Sequence, residues 1–318
     1  MSAPLSMPGR VCLFAMFHPR HRIRPHVLHY LVQLQACGYQ TVVACSGTRL
    51  PPKDDRDALY DTGATLVFRP NHGLDFGAWQ HLIREGHADG ADQVLFANDS
   101  VFGPFTDLAP IMQRMAAKRL DVWGMIESRQ HAWHLQSWFL HFSADAFRRP
   151  AVARVFAQDF ARMDKDEIIG NGELALGAAL QAEGLRCGAV VGRGDAAWAA
   201  RRYPSNPMHL DWRRHLTSGR LPFLKADLVR ANNMNIPWAW QWEIVLDRLG
   251  VPTGPIHDYL YEYAGKTPDF PGQPYQVPVR TVPLGQLAFY ALSSRDHRPA
   301  LRGFMDGLKS ELFTGKKS

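Results

Sequence analysis

Three polar residues that follow an apolar run have the types and spacing needed for chemistry. Asn98, Asp99 and Ser100 come directly after Val94–Ala97. An amide oxygen, a carboxylate and a hydroxyl are oxygen ligands of the kind that a divalent cation takes together with substrate phosphates. The same residue types are also common in ordinary turns, so a purely structural explanation stays open. The group predicts a diphosphate or metal site, with Asp99 as the metal ligand.

A second polar group follows the run Thr65–Phe68, whose β-branched and aromatic content predicts a buried strand. Its members alternate along the chain: Asn71, Gly73, Asp75 and Gly77. By itself, Asp75 is best explained as the cap of a helix predicted over residues 76–85. Glycines that let a ligand approach the backbone, beside a helix N-terminus, favour a site for an anionic diphosphate.

The elements that would position these groups alternate between strand and helix. The pattern predicts strands over residues 11–17, 41–45, 65–68 and 94–97, and helices over 25–36, 54–61, 76–85 and 108–118. This alternation is typical of an α/β fold with a mostly parallel sheet and helices on both faces. Because such folds bind ligands at the carboxyl ends of their strands, both polar groups are expected at that edge.

Other segments contribute weaker candidates. The basic loop over residues 18–24 follows the first strand and is either a solvated loop or a seat for a diphosphate. His134 and Gln136 stand beside aromatic residues, an arrangement suited to sugar binding, whereas Trp138, Phe139 and Phe142 are predicted core. Glu173 is predicted to open a helix, where its negative charge would stabilise the helix by interacting with the helix dipole.

Four ordered blocks resemble the rhamnan synthesis protein F family. They are N-x-G-x-D-x-G-A-W from Asn71, A-N-D-S-V-F-G-P from Ala97, H-L-Q-S-W-F from His134 and P-F-L-K from Pro222, and the likeness runs from Val11 to Pro237. The resemblance implies a GT-A-like fold and a glycosyltransferase of bacterial cell-surface polysaccharide or O-antigen assembly. It also implies a nucleoside diphosphate sugar as the donor, with L-rhamnose as the sugar suggested by the family name.

The resemblance also implies roles for individual residues. Glu173 would be the base of an inverting transfer, with Asp75 and Glu127 as rivals, and Lys225 would contact the donor diphosphate. The remaining candidate donor-binding residues are Asn71, Gly73, Asp75, Gly77, Asn98, Ser100, His134 and Gln136. Many GT-A enzymes hold their metal with Asp-x-Asp, whereas this chain has Asn98-Asp99-Ser100. Dependence on Mg²⁺ or Mn²⁺ is therefore left open.

Composition narrows the class of partner. The 318 residues carry a formal charge of +6 with a pI near 9.2, which suits anionic partners such as nucleotide diphosphates, lipid-linked acceptors or the inner membrane surface. Nucleic acid is disfavoured because the basic residues form no dense stripe. The four cysteines show no C-x-x-C spacing, and the sequence has no long apolar run and no visible export signal. These features favour a cytoplasmic protein, which would contact the membrane only peripherally.

The C-terminal part differs in composition. Residues 1–250 are predicted to form the catalytic domain, and residues 251–318 a Pro-rich segment with a helical tail. The tail residues Leu287, Phe289, Leu292, Leu301, Phe304, Leu308 and Leu312 favour docking on the body, or binding to anionic lipid. Trp238, Trp240 and Trp242 suit a core strand or a platform for an acceptor. Two other functions compete with the transferase: a non-catalytic glycan-binding or scaffold subunit, and a nucleic-acid-binding protein.

Overall fold

A computed structural model of the chain describes residues 9–195 and 206–294. The described residues fall into two compact units. One contains the chain up to Asp99 with Thr106–Glu127 and Ala132–Val190, and the other contains Ser100–Phe105, Ser128–His131 and the chain from Val191 onwards. Residues 1–8 and the tail residues Leu301, Phe304, Leu308 and Leu312, on which predictions were made, lie outside the described residues. The division at residue 250 stays a prediction.

The first unit is built on an eight-stranded sheet of order β3-β2-β1-β4-β8-β6-β7, with β9 pairing with β6. Its strands are β1 Arg10–Phe17, β2 Gln40–Ser46, β3 Thr65–Arg69, β4 Gln93–Asn98, β6 Val122–Ser128, β7 His134–Leu135, β8 Phe139–Ser143 and β9 Cys187–Val191. The β1–β2, β2–β3 and β1–β4 pairs are parallel, and β8 is antiparallel to both β4 and β6. The predicted α/β class with a mostly parallel sheet is confirmed.

Eight α-helices of this unit connect and cover the strands. They are α1 Pro25–Ala36, α2 Lys53–Asp61, α3 Leu74–Arg84, α4 Ala109–Ala116, α5 Ala144–Phe147, α6 Pro150–Phe156, α7 Lys165–Ile168 and α8 Ala175–Ala182. A 3-10 turn covers Phe160–Arg162, and a π-helix over Ile169–Leu174 joins α7 to α8. Helix α1 buries Val27, Tyr30, Leu31 and Leu34, a spacing that places them on one face.

The direction of winding reverses between β1 and β4. The chain goes from β1 to β2 and then to β3 on one side, and returns through α3 to β4 on the other side of β1. The carboxyl ends of the two strands on either side of such a reversal are where open α/β sheets bind ligands. Residues 11–16 of β1 are at most 3% exposed, so both faces of this central strand are covered.

Aromatic side chains fill the core beneath this point. Phe96 of β4 stacks on Phe156 of α6 at 5.0 Å between ring centroids, and Trp79 of α3 lies 5.3 Å from Phe96. The Trp79 indole N–H donates to Ala97 O at 3.2 Å, which fixes α3 against the end of β4. The predicted core residues Trp138, Phe139 and Phe142 are each at most 2% exposed, as expected.

The second unit is mainly helical. A two-stranded antiparallel sheet pairs β5, Val101–Phe102, with β10, Leu224–Lys225. Its α-helices are α9 Pro207–Leu210, α10 Trp212–Thr217, α11 Ala226–Arg230, α12 Trp242–Arg248, α13 Gly254–Tyr263 and α14 Leu284–Ser293, with 3-10 turns at Arg193–Asp195 and Ala239–Gln241. Trp212, Trp238 and Trp242 are central to its core. No helix in the described part of the chain has the length and apolarity needed to cross a bilayer.

Candidate functional site

Asp99 joins the carboxyl ends of β1 and β4 at the reversal of the sheet. Its backbone N–H donates to Ala15 O at 3.2 Å, and its Oδ2 accepts a hydrogen bond from Phe17 N at 3.0 Å. The side chain is partly exposed. Asp99 therefore lies at the place where ligands of this fold class bind, with one carboxylate oxygen held by the backbone of β1.

Asp75 lies beside Asn98 and does not cap α3. The Asn98 Nδ2 donates to Asp75 Oδ2 at 2.6 Å, and Asn98 is only 2% exposed. The prediction that Asp75 caps the helix is wrong: α3 begins at Leu74, one residue after Gly73, so Asp75 lies inside the first turn. Its carboxylate is therefore directed to the end of β4, where Asp99 follows.

The glycines of this turn are required by the chain's own packing. Gly73 has a φ of 71°, and an added Cβ would lie 2.9 Å from Phe160 O. A Cβ on Gly77 would lie 2.4 Å from His72 O, and the Gly77 N–H donates to Gly73 O at 2.7 Å. The observed close approaches are thus between parts of the chain. Donor binding by Gly73, Gly77 and the exposed Asn71 stays a prediction.

Glu173 is part of the π-helix and does not open a helix. The helical stretch begins earlier, at Lys165, where Asp164 and Glu167 form a capping box. The prediction of a first-turn position is therefore wrong. Glu173 Oε1 accepts from Ser137 N at 2.7 Å, and the adjacent Gly172 is so close to the Phe76 ring that an added Cβ would lie 2.9 Å from it. Since Phe76 follows Asp75, the π-helix packs directly against the turn that carries Asp75. Such π-helical segments are frequent at functional sites.

His134 and Gln136 support the segment that binds Glu173. The His134 Nδ1 is 3.0 Å from Ala132 O, and Gln136 Oε1 accepts from Trp138 Nε1 at 3.0 Å. Both side chains are at least nine-tenths buried. Their ligand roles stay predictions, as does the role of Glu127, which lies near the end of β6 and is partly exposed.

A buried arginine near the same strand ends was missed as a site residue. Arg69, at the end of β3, is 6% exposed and donates to Ser46 Oγ at 2.9 Å and to His72 O at 2.6 Å. Burial lowers the pKa of its guanidinium. Its two hydrogen-bond acceptors are neutral, so neither of them compensates the positive charge of the guanidinium. The prediction of a buried strand over Thr65–Phe68 is wrong, because β3 is an edge strand in which Thr65 and Phe68 are exposed. A basic residue directly after a predicted strand was the available signal.

The basic loop after β1 is partly neutralised. The Arg22 guanidinium binds Asp55 through two hydrogen bonds, at 2.7 and 2.9 Å, and Ile23 N also donates to this carboxylate. Burial raises the pKa of Asp55, but these hydrogen bonds outweigh it and hold the pKa below its usual range. Burial, helped by Arg24, lowers the pKa of His18 to about 4. This loop is therefore a structured element, and binding of a diphosphate by it stays a prediction.

Ser100 and Lys225 meet within the second unit. The Lys225 Nζ donates to Ser100 Oγ at 2.8 Å, and Ala226 N donates to Ser100 O at 2.9 Å. The pairing of β10 with β5 places Lys225 opposite Val101, next in sequence to Ser100. Two candidate residues 125 positions apart are thus brought together. Their contact with a donor stays a prediction.

The side-chain oxygens of Asn98 and Asp99 fit one mode of metal binding. Within the described residues, no three His, Cys, Asp or Glu side chains are grouped so as to hold a metal ion. Mg²⁺ is commonly bound through one or two carboxylates plus substrate phosphates rather than by a cage of protein ligands. The Asp99 carboxylate, next to Asn98, fits that arrangement. Binding of Mg²⁺ or Mn²⁺ by Asp99 stays a prediction.

A cavity of about 500 Å³ lies elsewhere in the first unit. Arg10, Gln93 and Tyr39 line it, and these residues are at the amino ends of β1, β4 and β2. Parallel α/β sheets bind their ligands at the opposite, carboxyl edge. Size alone therefore does not identify the site, and the polar groups around Asp99 are the better candidate.

Comparison with known families agrees with the sequence blocks. The profile described as "Rhamnan synthesis protein F" matches residues 42–246, which is more than half of the chain. The chain belongs to the rhamnan synthesis protein F family. A relative of this family member is the virulence protein VirA of Vibrio anguillarum, 26% identical over 201 residues. The match covers 54% of this chain and 64% of VirA, so the chain spans less than two thirds of that relative.

Three solved structures illustrate the level of structural similarity to this family member. A putative glucose-1-phosphate thymidylyltransferase from Bacillus anthracis has a TM-score of 0.36 and 8% identity, covering 56% of this chain and 86% of that one. The glycosyltransferase GlyE from Streptococcus pneumoniae has a TM-score of 0.37 and 9% identity, covering 75% of this chain and 62% of that one. The third structure is glucosyl-3-phosphoglycerate synthase from Mycobacterium tuberculosis in complex with Mn²⁺ and UDP-glucose. It has a TM-score of 0.33 and 11% identity, covering 76% of this chain and 80% of that one. At these scores the similarity carries no argument about activity.

Proposed function

We propose that this protein is a GT-A-like glycosyltransferase that moves a sugar from a nucleoside diphosphate donor to a growing cell-surface polysaccharide or lipid-linked glycan. The sugar proposed is L-rhamnose. The observation that carries the proposal is the arrangement at the reversal of the sheet, where Asp99 binds the end of β1 and Asn98 binds Asp75. Membership of the rhamnan synthesis protein F family supports the choice of reaction.

In the proposed mechanism each group has one task. The turn over residues 71–77 and the pair Asn98 and Asp99 would orient the donor diphosphate, and a bound Mg²⁺ or Mn²⁺ would help neutralise the charge of the leaving group. Glu173, oriented by Ser137 N, would take the proton of the acceptor hydroxyl as the glycosidic bond forms. Displacement from the opposite face inverts the anomeric configuration.

We further propose that the protein acts in the cytoplasm and contacts the inner face of the cell membrane peripherally. The formal charge of +6 supports this, because anionic lipid and lipid-linked pyrophosphate acceptors both attract a basic protein. A scaffold that binds glycan without transferring it is the alternative. The two differ in one property: only the transferase should prefer a nucleotide-bearing sugar over the free sugar.

The direct test is incubation of the purified chain with dTDP-, UDP- and GDP-sugars and a lipid-linked acceptor. Products are identified by mass spectrometry, with and without EDTA followed by Mg²⁺ or Mn²⁺. The proposal expects a mass increase of one sugar with one class of donor. No transfer with any donor, together with equal affinity for free and nucleotide-bearing sugars, would support the scaffold instead.

Substitution of Asp99 tests the site itself. Asp99→Asn keeps an oxygen that can accept from Phe17 N, so the fold should be retained, whereas Asp99→Ala leaves that N–H without its partner. Both variants are expected to lose transfer at least a hundredfold, and only Asp99→Ala should also lose stability. Asp89→Asn, in the exposed loop before β4, is the control. Full turnover by Asp99→Asn would remove the carboxylate from the mechanism.

A further inference from the structure

One tryptophan of the W-A-W-Q-W segment differs from its neighbours in exposure. Trp238 and Trp242 are 1% and 0% exposed, whereas Trp240 is 44% exposed. The segment is not the predicted core strand: it forms the 3-10 turn Ala239–Gln241 and the start of α12. Two indoles therefore fill the core of the second unit, and the third has a face available to a ligand.

Trp240 lies in the wall of a surface groove. It lines a cavity of about 270 Å³ together with Glu243, Pro274, Tyr275, Gln276 and Val277. An adjoining cavity of about 400 Å³ shares Tyr275 and Gln276 and continues along Tyr261 and Asp269. We call these two cavities together the Trp240 groove. All of its lining residues belong to the second unit.

The carboxylate beside Trp240 is oriented by a histidine. Tyr275 N donates to His257 Nδ1 at 2.9 Å, so Nδ1 is an acceptor and the ring proton is on Nε2. This Nε2 is 3.3 Å from Glu243 Oε2, which it can therefore bind as a donor. Glu243 remains 34% exposed. The groove thus presents a fixed, solvent-accessible acceptor close to an indole face.

The part of the groove lined by Tyr261 and Asp269 is also preformed. Gln273 binds Asp269 twice, accepting from its backbone N–H and donating to its Oδ2 at 3.3 Å. The Tyr261 hydroxyl donates to Pro274 O at 3.2 Å, and the Tyr261 and Tyr275 rings meet edge to face at 5.4 Å. A wall held by its own hydrogen bonds loses little conformational entropy when a ligand binds.

The charges of the groove select the class of ligand. Glu243 and Asp269 are acidic and Lys266 is basic, so the lining is acidic on balance. Phosphate, nucleotides and anionic lipid headgroups are therefore disfavoured. A sugar ring has an apolar C–H face that stacks on an indole and hydroxyls that donate to carboxylates and carboxamides. We propose that the Trp240 groove binds neutral saccharide units of a glycan chain.

This assignment rests on the proposed function in one respect: in a glycosyltransferase, the glycan bound there is the acceptor. Binding itself needs no activated donor. The groove can therefore be tested separately from the transfer reaction, and the two ideas can fail independently.

The test is isothermal titration calorimetry of the full chain with an α-linked rhamnose hexasaccharide, and with UDP and dTDP as anionic probes. Trp240→Ala is expected to weaken hexasaccharide binding at least tenfold, Trp240→Phe to restore part of the loss, and Glu243→Gln to weaken binding severalfold. Ile244→Ala removes an exposed apolar side chain of α12, which is 45% exposed and outside the groove, and this variant should bind as the parent does. Circular dichroism confirms that each variant is folded.

The outcomes separate the two proposals. Hexasaccharide binding that Trp240→Ala abolishes supports the groove even if no donor gives transfer, a result that would overturn the transferase alone. In an active preparation, Trp240→Ala should raise the KM for acceptor and leave the affinity for donor unchanged. The groove assignment is overturned if the parent does not bind the hexasaccharide, if Trp240→Ala and Ile244→Ala bind it equally well, or if UDP competes for the groove.

Discussion

Glu173 has one carboxylate oxygen committed to the chain. Its Oε1 accepts from Ser137 N at 2.7 Å, and in the described part of the protein its Oε2 accepts no hydrogen bond. A carboxylate fixed by one oxygen presents the other in a set direction, as a general base requires. Asp75 is likewise held through one oxygen, since its Oδ2 accepts from Asn98 at 2.6 Å. Glu173 stays the proposed base, with Asp75 and Glu127 as the alternatives.

Glu173→Gln tests this role with little change of shape. The amide oxygen can still accept from Ser137 N, so the fold and the donor affinity should be retained. Loss of the base should lower kcat by about 10²–10⁴. Glu167→Gln is the matched control, since glutamine also serves at this position of a capping box. An unchanged kcat for Glu173→Gln would transfer the role to Asp75 or Glu127.

The turn between β3 and α3 depends on the absence of a side chain at Gly77. A methyl group there would lie 2.4 Å from His72 O, a backbone atom that cannot turn away as a side chain can. Gly77→Ala should therefore destabilise the protein by about 1–3 kcal/mol, the usual cost of overpacking. Urea denaturation gives the difference. Gly170→Ala, where no atom would lie within 4 Å of the added methyl, should unfold at the parent's urea concentration or slightly above it.

Elements with strong local signals were predictable from sequence. Helix α1 was predicted at its observed bounds because Pro25 and Gly38 mark its limits. The position of Asp75 was not predicted correctly. Gly73, which has a left-handed backbone conformation, lets α3 begin at Leu74, two residues before the predicted start. The π-helix around Glu173 was also missed, since one extra residue in a helical turn leaves no distinct hydrophobic period. Local deviations of this kind depend on tertiary packing, which a single sequence does not show.

The contacts of Asp99 and of Glu173 depend on the topology of the whole first unit. Phe17 and Asp99 are 82 residues apart, and Glu173 lies 36 residues beyond Ser137. Sequence reasoning placed the polar groups at one edge, but which strand ends are neighbours follows from the order β3-β2-β1-β4. The pairing of Arg69 with Ser46 likewise needs the register of β2 on β3, where these two residues are opposite each other. Such long-range pairings carry no signature in local composition.

Buried histidines make the stability of the whole protein depend on pH. In the first unit, burial and the charge of Arg10 lower the pKa of His141 to about 4. In the second unit, burial lowers the pKa of His209 to about 3 and that of His215 to about 4. Each pKa lies below the unfolded value of about 6.5, so between these limits the unfolded chain binds more protons than the folded one. Stability is then full above about pH 6.5 and falls as the pH decreases.

We therefore expect the free energy of unfolding, measured by urea denaturation, to be constant from pH 8 to 7. It should fall steadily between pH 6.5 and 4, by up to about 3 kcal/mol for each such histidine, and the urea midpoint should fall with it. The lowered pKa of the Asp55 carboxyl acts only below this range, since the unfolded value of an aspartate is about 3.9. His215→Gln removes one titrating group and should reduce the pH dependence, whereas replacing the exposed His131 with Gln should leave it unchanged. A midpoint independent of pH between 6.5 and 4.5 would show that the buried rings gain access to solvent and protonate without unfolding.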